Sequence, residues 1–307
     1  MKLELRDICK SFSGKEVLHN VNFSIESGRA MGFLGRNGAG KTTTIRTLMN
    51  VFKPDSGEIF LDGENFKRSN YKIGYLPEER GLYGKIGILT QLTYLGELKG
   101  MNKKDAQESA KNLLKEVDLE GYMNQNLDTL SKGNQQKVQI LQAIIDDPDI
   151  VILDEPFSGL DPVNASVLKN IIRNLIAKGK LVIFSSHQMS YVEEFCDDIT
   201  FIKDGQIILS DNLKDLQNRY GNGRYRINIS GLDEDVDQIL KQAGATNVEF
   251  DEKSNIVTLT STDSSNFLRN ILDKGFVVES FSDYIPSLEE IFIKLDEEEN
   301  SSKGARA

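Results

Sequence analysis

The chain has 307 residues, of which 39% are hydrophobic and 27% are charged, a composition ordinary for a globular protein. Its net charge is −10, and the excess of acid lies in residues 224–307, where 17 acidic residues accompany only 9 basic ones. We therefore expect no direct binding of nucleic acid. No apolar run approaches the ~20 residues that a membrane-spanning helix needs, and the two cysteines form neither a metal motif nor a disulfide framework. The length predicts two domains.

The first part of the chain, residues 3–81, predicts antiparallel strands together with a strand, a glycine-rich loop and a helix. Residues 30–34 form a short apolar run typical of a strand, and residues 43–50 fit a helix. The sequence GRNGAGKT between them fits the phosphate-binding pattern G-x-x-x-x-G-K-[ST], in which backbone N–H groups and a helix N-terminus converge on phosphate oxygens. The expected nucleotide-binding residues are Gly35, Arg36, Asn37, Gly38, Ala39, Gly40, Lys41, Thr42 and Thr43.

Two of these residues have specific predicted roles. Lys41 is expected to reach the β- and γ-phosphates of a nucleotide, and the hydroxyl of Thr42 is expected to ligate Mg²⁺. The alternative reading of the loop is a glycine-rich turn that binds nothing. Residues from about 82 to 148 follow, and they predict a mostly helical region with helices at 89–98, 104–117 and 135–145.

A second motif begins at residue 150. The aliphatic run at 150–153 is typical of a strand buried on both faces, and Asp154 and Glu155 follow at its C-terminal end. Ligands of open α/β sheets bind at that end of the strands. We expect Asp154 to hold the metal shell and Glu155 to polarise a water for attack on the γ-phosphate. The alternative is that the two acids cap the turn that Pro156 begins.

The remaining elements predict the end of this domain and a second one. A strand at 181–184, a helix at 190–195 and a hairpin around Asp204-Gly205 lead to a glycine-containing linker at 221–223. The segments after it have the order β-α-β-β-α-β, the split βαβ pattern of ferredoxin-like domains. A closing helix is expected at 287–295. The predicted domains are thus residues 1–220, residues 224–295 and a disordered polar tail at 296–307.

Several further motifs carry a family resemblance, in order, from about residue 3 to residue 213. The chain resembles the nucleotide-binding subunit of an ATP-binding cassette (ABC) transporter, of the bacterial exporter type with a C-terminal accessory domain. Three stretches match family motifs: LSKGN at 130–134 in the place of the signature, SGLD at 158–161 as the D-loop, and SSH at 185–187 with the switch histidine. Phe12 and Val17 stand where the family binds adenine. The stretch IGYLPE at 73–78 stands where the family usually has a loop ending in Gln.

The resemblance implies an α/β P-loop fold of ABC type, with a mixed sheet core, an antiparallel β portion and a helical subdomain. It implies that Phe12 and Val17 contact adenine, and that Ser131 donates to a nucleotide held by a second copy, with Gly133 and Asn134 as further nucleotide-binding residues. It also implies catalytic roles for Lys41, Ser131, Asp161 in the D-loop and the switch residue His187, and it sets Glu78, in place of the usual Gln, beside Mg²⁺. Simpler readings stay open, with Ser131 as a helix cap, Phe12 as a core residue, Asp161 in a turn and His187 as a structural residue. Lys132 and Asn134 also depart from the usual signature residues, and we expect an active enzyme nonetheless.

The function implied by the resemblance is ATP hydrolysis coupled to transport. Two copies are expected to close head to tail around two ATP molecules and to drive a separate transmembrane permease at the cytoplasmic face of the membrane. The stretch PEERGLY at 77–83 resembles bacterial exporters of sodium, antibiotics, peptides or lipids. The alternatives are a non-transport ABC ATPase that acts on ribosomes or nucleic acid, and a GTPase or kinase that shares only the glycine loop.

Overall fold

The computed structural model describes residues 1–78, 81–230, 236–251 and 256–304, and the chain forms two compact units, Met1–Leu213 and Lys214–Ala307. The elements of the first unit are β1 (Lys2–Phe12), β2 (Lys15–Glu26), β3 (Ala30–Leu34), α1 (Lys41–Leu48), β4 (Ser56–Leu61), β5 (Glu64–Asn65), β6 (Ile73–Leu76), α2 (Ile88–Leu98), α3 (Lys103–Glu116), α4 (Lys132–Ile144), β7 (Ile150–Asp154), α5 (Pro162–Ala177), β8 (Leu181–Ser186), α6 (Met189–Phe195), β9 (Asp198–Lys203) and β10 (Gln206–Asn212).

The core of the first unit is a mixed six-stranded sheet with the order β10-β9-β3-β8-β7-β6. Five of its strands run parallel, and β10 pairs antiparallel with β9. Every residue of β3, β7 and β8 is buried, as their continuous apolar sequences predict for strands covered on both faces. Leu34 pairs with Ser186, and Asp154 pairs with Ser185, so the ends of β3, β7 and β8 meet at one edge of the sheet.

A second, antiparallel sheet and a set of helices complete this unit. The sheet has the order β2-β1-β4-β5, and the apolar side chains of β1 that face inward, Leu3, Leu5 and Ile8, are buried. The helices predicted at 89–98 and 104–117 are α2 and α3, with bounds within one residue of the prediction. Helix α4 begins at Lys132, earlier than predicted, because Ser131 caps it. These features confirm the predicted P-loop fold with an antiparallel portion and a helical region.

The hairpin between β9 and β10 turns where predicted. Asp204 and Gly205 both have positive φ, 48° and 76°, as a two-residue type I′ turn requires. The turn also contacts the phosphate-binding loop, since the Gly205 backbone N–H donates to Ala39 O at 2.9 Å. A Cβ atom at Gly205 would lie 2.2 Å from Val17 O, so only glycine fits this close approach.

The second unit has the predicted ferredoxin-like topology. Its four-stranded sheet has the order β12-β13-β11-β14, all neighbours are antiparallel, and Ile227, Leu240, Val257 and Phe267 contribute to its own core. Its elements are α7 (Leu213–Gly221), β11 (Arg224–Ser230), α8 (Val236–Gln242), β12 (Thr246–Asp251), β13 (Ile256–Thr260), α9 (Ser264–Asp273), β14 (Val277–Asp283) and α10 (Leu288–Gly304).

The domain boundary and the tail differ from the prediction. Nearly all of α7 belongs to the second unit and not to the ATPase domain, because Leu216 is buried and Gln217 Nε2 donates to Pro286 O at 3.2 Å. Gly221 is packed and is no linker, since a Cβ there would lie 2.3 Å from Tyr284 O. Helix α10 runs nine residues beyond the predicted end at 295 to Gly304. Extending a formed helix costs little, and glutamates favour it.

Some predictions fall outside the described residues. These are Glu79 and Arg80 in the exporter-like stretch, the first residue of the predicted helix at 235–243, and residues 305–307 of the predicted tail. Within the described ranges, no helix has both the length and the apolar character needed to cross a membrane.

Candidate active site

The phosphate-binding loop joins the end of β3 to the start of α1. Gly38 and Gly40 have φ of 82° and 111°, and a Cβ at Gly35 would lie 2.5 Å from Ile202 O, so the three glycines are required by the backbone path. Lys41 is buried, and its Nζ donates to Gly35 O at 2.6 Å. Helix α1 begins at this lysine, and no side chain of the described residues caps it. Its first N–H groups are thus suited to an anion.

A cleft opens above this loop and contains most of the predicted site. It brings the loop together with Glu78 from the segment after β6, Asp154 and Glu155 at the end of β7, and Val17, which is predicted to contact adenine. Its lining residues are Val17, Arg36, Asn37, Gly38, Gly40, Lys41, Thr42, Thr43, Glu78, Asp154 and Glu155. The other predicted site residues are not among them, namely Phe12, Gly35, Ala39, Ser131, Gly133, Asn134, Asp161 and His187.

Asp154 and Thr42, the two residues predicted to hold a metal ion, meet on one side of the cleft. Thr42 Oγ1 donates to Asp154 Oδ2 at 3.4 Å, and Asp154 is buried. Among the described residues, no group of three or more His, Cys, Asp or Glu side chains could hold a metal ion by itself. Hard oxygen donors in small number fit Mg²⁺, which is typically bound through one or two carboxylates together with substrate phosphates. Thr42 and Asp154 would hold the ion, with Glu78 at the cleft wall.

Glu155 has the most unusual environment in the site. It adopts a left-handed φ of 50°, it is buried, and its Oε1 lacks a hydrogen-bond partner among the described residues. Lys41 Nζ lies 4.0 Å from Oε1, and His187 Nδ1 lies 2.8 Å from Oε2. Burial raises the pKa of Glu155, and the nearby His187 and Lys41 oppose this shift. A buried carboxylate with a free acceptor oxygen and a strained backbone is typical of a catalytic position.

Ser185 is a site residue that the sequence analysis did not single out. Its fully buried Oγ donates to Asp154 Oδ1 at 2.5 Å and accepts from the backbone N–H of Glu155 at 3.0 Å. One hydroxyl therefore orients both acids. The signal in the sequence was the polar pair at 185–186, which ends an otherwise apolar strand directly before His187.

The signature and D-loop residues lie away from this cleft. Ser131 is exposed and caps α4 by accepting from the Asn134 backbone N–H at 3.3 Å. Asp161 caps α5, where its Oδ1 accepts from the Asn164 backbone N–H at 2.9 Å, and this bond lowers the pKa of Asp161. The capping roles are thus present, and they leave room for a role toward a second molecule.

Phe12 lies at the end of β1 and not in the core. Its ring is 38% exposed and contacts Phe52 edge to face, with centroids 5.0 Å apart. Lys10 Nζ lies 5.5 Å from the same ring. The exposure agrees with a stacking surface, and the adenine role remains a prediction.

The fold and the cleft define a P-loop nucleotide hydrolase. Residues 18–158 match the family described as ABC transporter, and residues 212–295 match the C-terminal domain of DrrA1-3-like ATP-binding proteins. The chain is 36% identical over 297 residues to an uncharacterised ABC transporter ATP-binding protein, YhaQ of Bacillus subtilis, covering 95% of this chain and 97% of that protein. The chain belongs to the family of ABC transporter ATP-binding proteins.

Two further comparisons agree with this assignment. The Nod factor export ATP-binding protein I of Burkholderia lata is 32% identical over 210 residues, which cover 67% of this chain and 69% of that protein. A solved structure titled as an ATP binding subunit of an ABC transporter aligns with a TM-score of 0.65 and 29% identity, covering 72% of this chain and 94% of the other. The protein is thus an ATP-binding ATPase subunit of a transport system, as the resemblance implied.

Proposed function

We propose that two copies of this chain close head to tail around two ATP·Mg²⁺ complexes and drive export through a separate membrane permease. The observation that carries the proposal is the position of Ser131. It lies exposed at the N-terminus of α4, outside the cleft that contains Lys41 and Glu155. A helix N-terminus with an exposed hydroxyl suits a γ-phosphate, and only a second copy can supply one there. Val163 at the start of α5 is 73% exposed, which also suits a contact between copies.

The hydrolytic step is proposed to occur in the cleft of each copy. Mg²⁺ held by Thr42 and Asp154 supplies neutralisation of phosphate charge when bound. Glu155 Oε1 accepts a proton from the attacking water, whose oxygen bonds to the γ-phosphorus. The bond from that phosphorus to the β–γ bridging oxygen breaks, and ADP leaves. His187 fixes the other oxygen of Glu155, and the raised pKa of the carboxyl favours proton uptake.

The helical region offers the docking surface for the permease. Four large apolar side chains within residues 83–98 are exposed, namely Tyr83, Ile86, Tyr94 and Leu98, with exposures of 70, 39, 57 and 65%. Such a cluster marks a contact with another protein. Docking there would hold the chain at the cytoplasmic face of the membrane. The export direction is supported by the Nod factor export relative and by the exporter-like stretch at 77–83. An action on ribosomes or nucleic acid is not favoured by these comparisons.

The test is reconstitution in vesicles with the membrane protein encoded beside this chain. We expect that protein to co-purify and to raise ATP hydrolysis several-fold. Tyr94→Glu should abolish both effects, whereas Tyr122→Glu, at a 42% exposed tyrosine outside the cluster, should keep them. Recovery of ribosomes without any membrane protein would overturn the transport function. The cargo class is then found from stimulation by a panel of cations and amphiphiles.

A further inference from the structure

The signature loop and the D-loop touch each other inside one chain through Asn164. A Cβ atom built on Gly133 would lie 2.2 Å from Asn164 Nδ2 and 2.7 Å from its Cγ. A Cβ at this position would force the Asn164 side chain to move, so the glycine leaves room for that amide group between α4 and α5. The glycine of the signature thus has a packing partner within its own protomer.

The side chain of Asn164 is itself held in place by the D-loop. Its Nδ2 donates to Asp161 Oδ2 at 2.6 Å, while its backbone N–H donates to Asp161 Oδ1 at 2.9 Å. Asp161 therefore holds this residue at two points, and both hydrogen bonds are charge-assisted because the carboxylate accepts them. A displacement of Asp161 would therefore move the side-chain amide of Asn164, which packs against Gly133.

A second contact joins α4 to the loop that follows Glu155. Gln136, one turn after Gly133, donates from Nε2 to Pro156 O at 3.3 Å. Pro156 is covalently next to Glu155, whose backbone is fixed by Ser185. The first turns of α4 are thus tied to both ends of the segment that runs from Glu155 to Asp161.

We propose that Asn164 is a positioning residue that couples the signature loop to the hydrolytic loop of the same protomer, so that the two ATP sites of a dimer turn over cooperatively. The inference rests on the proposed head-to-tail dimer. In that dimer, Ser131 contacts the partner's nucleotide, and Asn164 transmits its placement to the chain's own Glu155. Two adjoining packed elements with discrete arrangements can carry such coupling.

The first experiment tests whether Gly133 is needed because of Asn164. Gly133→Ala should lower ATP turnover at least about tenfold, since the added Cβ displaces the first turn of α4. In Gly133→Ala/Asn164→Ala the nearest remaining atom, the Asn164 Cβ, lies at 3.3 Å, a tight but adjustable contact. We expect the double variant to regain dimer formation in a Glu155→Gln background with ATP. A double variant no better than Gly133→Ala alone would overturn the packing argument.

The second experiment measures cooperativity in the full chain. Asn164→Ala should lower the Hill coefficient for ATP hydrolysis from near two to near one, while ATP affinity measured under non-dimerising dilution changes less than about twofold. Asn164→Asp keeps the volume but sets two carboxylates against each other, so it should lose cooperativity as well. The control is Asn170→Ala, at an exposed position of the same helix, which should keep the Hill coefficient.

These experiments distinguish a failure of the proposed coupling from a failure of the proposed dimer. If Glu155→Gln stays monomeric with ATP, the head-to-tail dimer is wrong and the coupling falls with it. If that dimer forms and Asn164→Ala keeps a Hill coefficient near two, the dimer stands and the coupling is refuted. A purely structural role for Asn164 would lower the melting temperature without moving the Hill coefficient.

Discussion

Each unit of the chain contains a glutamate that makes hydrogen bonds, and the pKa values of the two glutamates shift in opposite directions. Glu155 is buried, one of its oxygens accepts no hydrogen bond from the described residues, and burial raises its pKa. Glu290, in the C-terminal unit, accepts hydrogen bonds from Tyr284 Oη, Ser287 N and Ser287 Oγ. Desolvation opposes its ionisation, but these bonds lower its pKa.

The contrast separates a group arranged for chemistry from a group arranged for stability. Glu290 and Ser287 form a reciprocal capping box at the start of α10, which satisfies otherwise unpaired N–H groups. Desolvation and the adjacent Glu290 also raise the pKa of Tyr284 to about 12, so its hydroxyl remains a hydrogen-bond donor to Glu290 even in alkaline solution. Glu155 instead keeps an acceptor oxygen free in a left-handed backbone conformation, a cost that folding alone does not explain.

The largest expected difference between the two glutamates is in the rate of ATP hydrolysis when each carboxylate is replaced by an amide. Glu155→Gln should lower the steady-state rate of ATP hydrolysis about 1,000-fold, because it removes the proton acceptor, while ATP binding persists and traps a closed dimer. Glu290→Gln should leave the rate within about twofold. Steady-state phosphate release and gel filtration with ATP check both. Undiminished turnover in Glu155→Gln would remove this residue from the role of base.

The next largest expected effect is on ATP affinity, for which one lysine from each unit is compared. Lys41 is buried in the phosphate loop, whereas Lys241 is exposed and forms an ion pair with Asp237 at i,i+4. Lys41→Ala should weaken ATP binding about 100-fold through loss of charge-assisted contacts to phosphate. Lys241→Ala should not change it, since exposed helix pairs contribute little. Isothermal calorimetry measures both affinities, and equal affinities would contradict the nucleotide cradle.

The difference between the units also shows what the sequence can predict. The apolar runs at 150–153 and 181–184 predict β7 and β8, because strands buried on both faces leave a continuous hydrophobic record. The glycine loop, Asp154 and Glu155 follow from motif spacing around those strands, and His187 follows from the resemblance to the ABC family. The order β-α-β-β-α-β likewise predicts the sheet of the second unit.

What the sequence could not predict depends on contacts between distant residues. Ser185 matters because β7 and β8 pair in a register that sets it opposite Asp154, and no local pattern records that register. Asn164 matters because two helices approach closely at Gly133. The assignment of α7 to the second unit likewise depends on contacts with residues some 70 positions away.

A smaller effect on ATP turnover is expected from replacing Ser185, and a buried serine of the second unit serves as the comparison. Ser185→Ala removes the donor to Asp154 and the acceptor of the Glu155 N–H, so both acids lose their orientation. We expect turnover to fall about tenfold with ATP affinity nearly unchanged. The matched control is Ser261→Ala, at a buried serine of the second unit whose hydroxyl accepts from Asp263 N. Equal kinetics for the two variants would show that Ser185 has no positioning role.

The smallest effect is on thermal stability, and its sign should differ between the two glutamates. A carboxyl whose folded pKa is raised destabilises the native state wherever it is ionised, so nucleotide-free Glu155→Gln should melt higher at pH 7. A carboxyl whose folded pKa is lowered contributes stability above its unfolded pKa, so Glu290→Gln should melt lower at pH 7.

The pH dependence then distinguishes the two cases. As the pH falls through the raised pKa of Glu155, that carboxyl becomes neutral and the advantage of Glu155→Gln should disappear. The deficit of Glu290→Gln should persist to lower pH and vanish only below the depressed pKa of Glu290. We expect the shift of Glu290→Gln at pH 7 to be at most about 2 °C, because solvent screens the interactions of this exposed group, and the shift of Glu155→Gln to be the larger of the two. Calorimetry at about eight pH values between pH 3.5 and 7.5 measures the melting temperature of each variant. A Glu155→Gln protein that melts below the wild type at pH 7 would show that the Glu155 carboxylate is satisfied by contacts to Lys41 and His187, and that the two glutamates are stabilising alike.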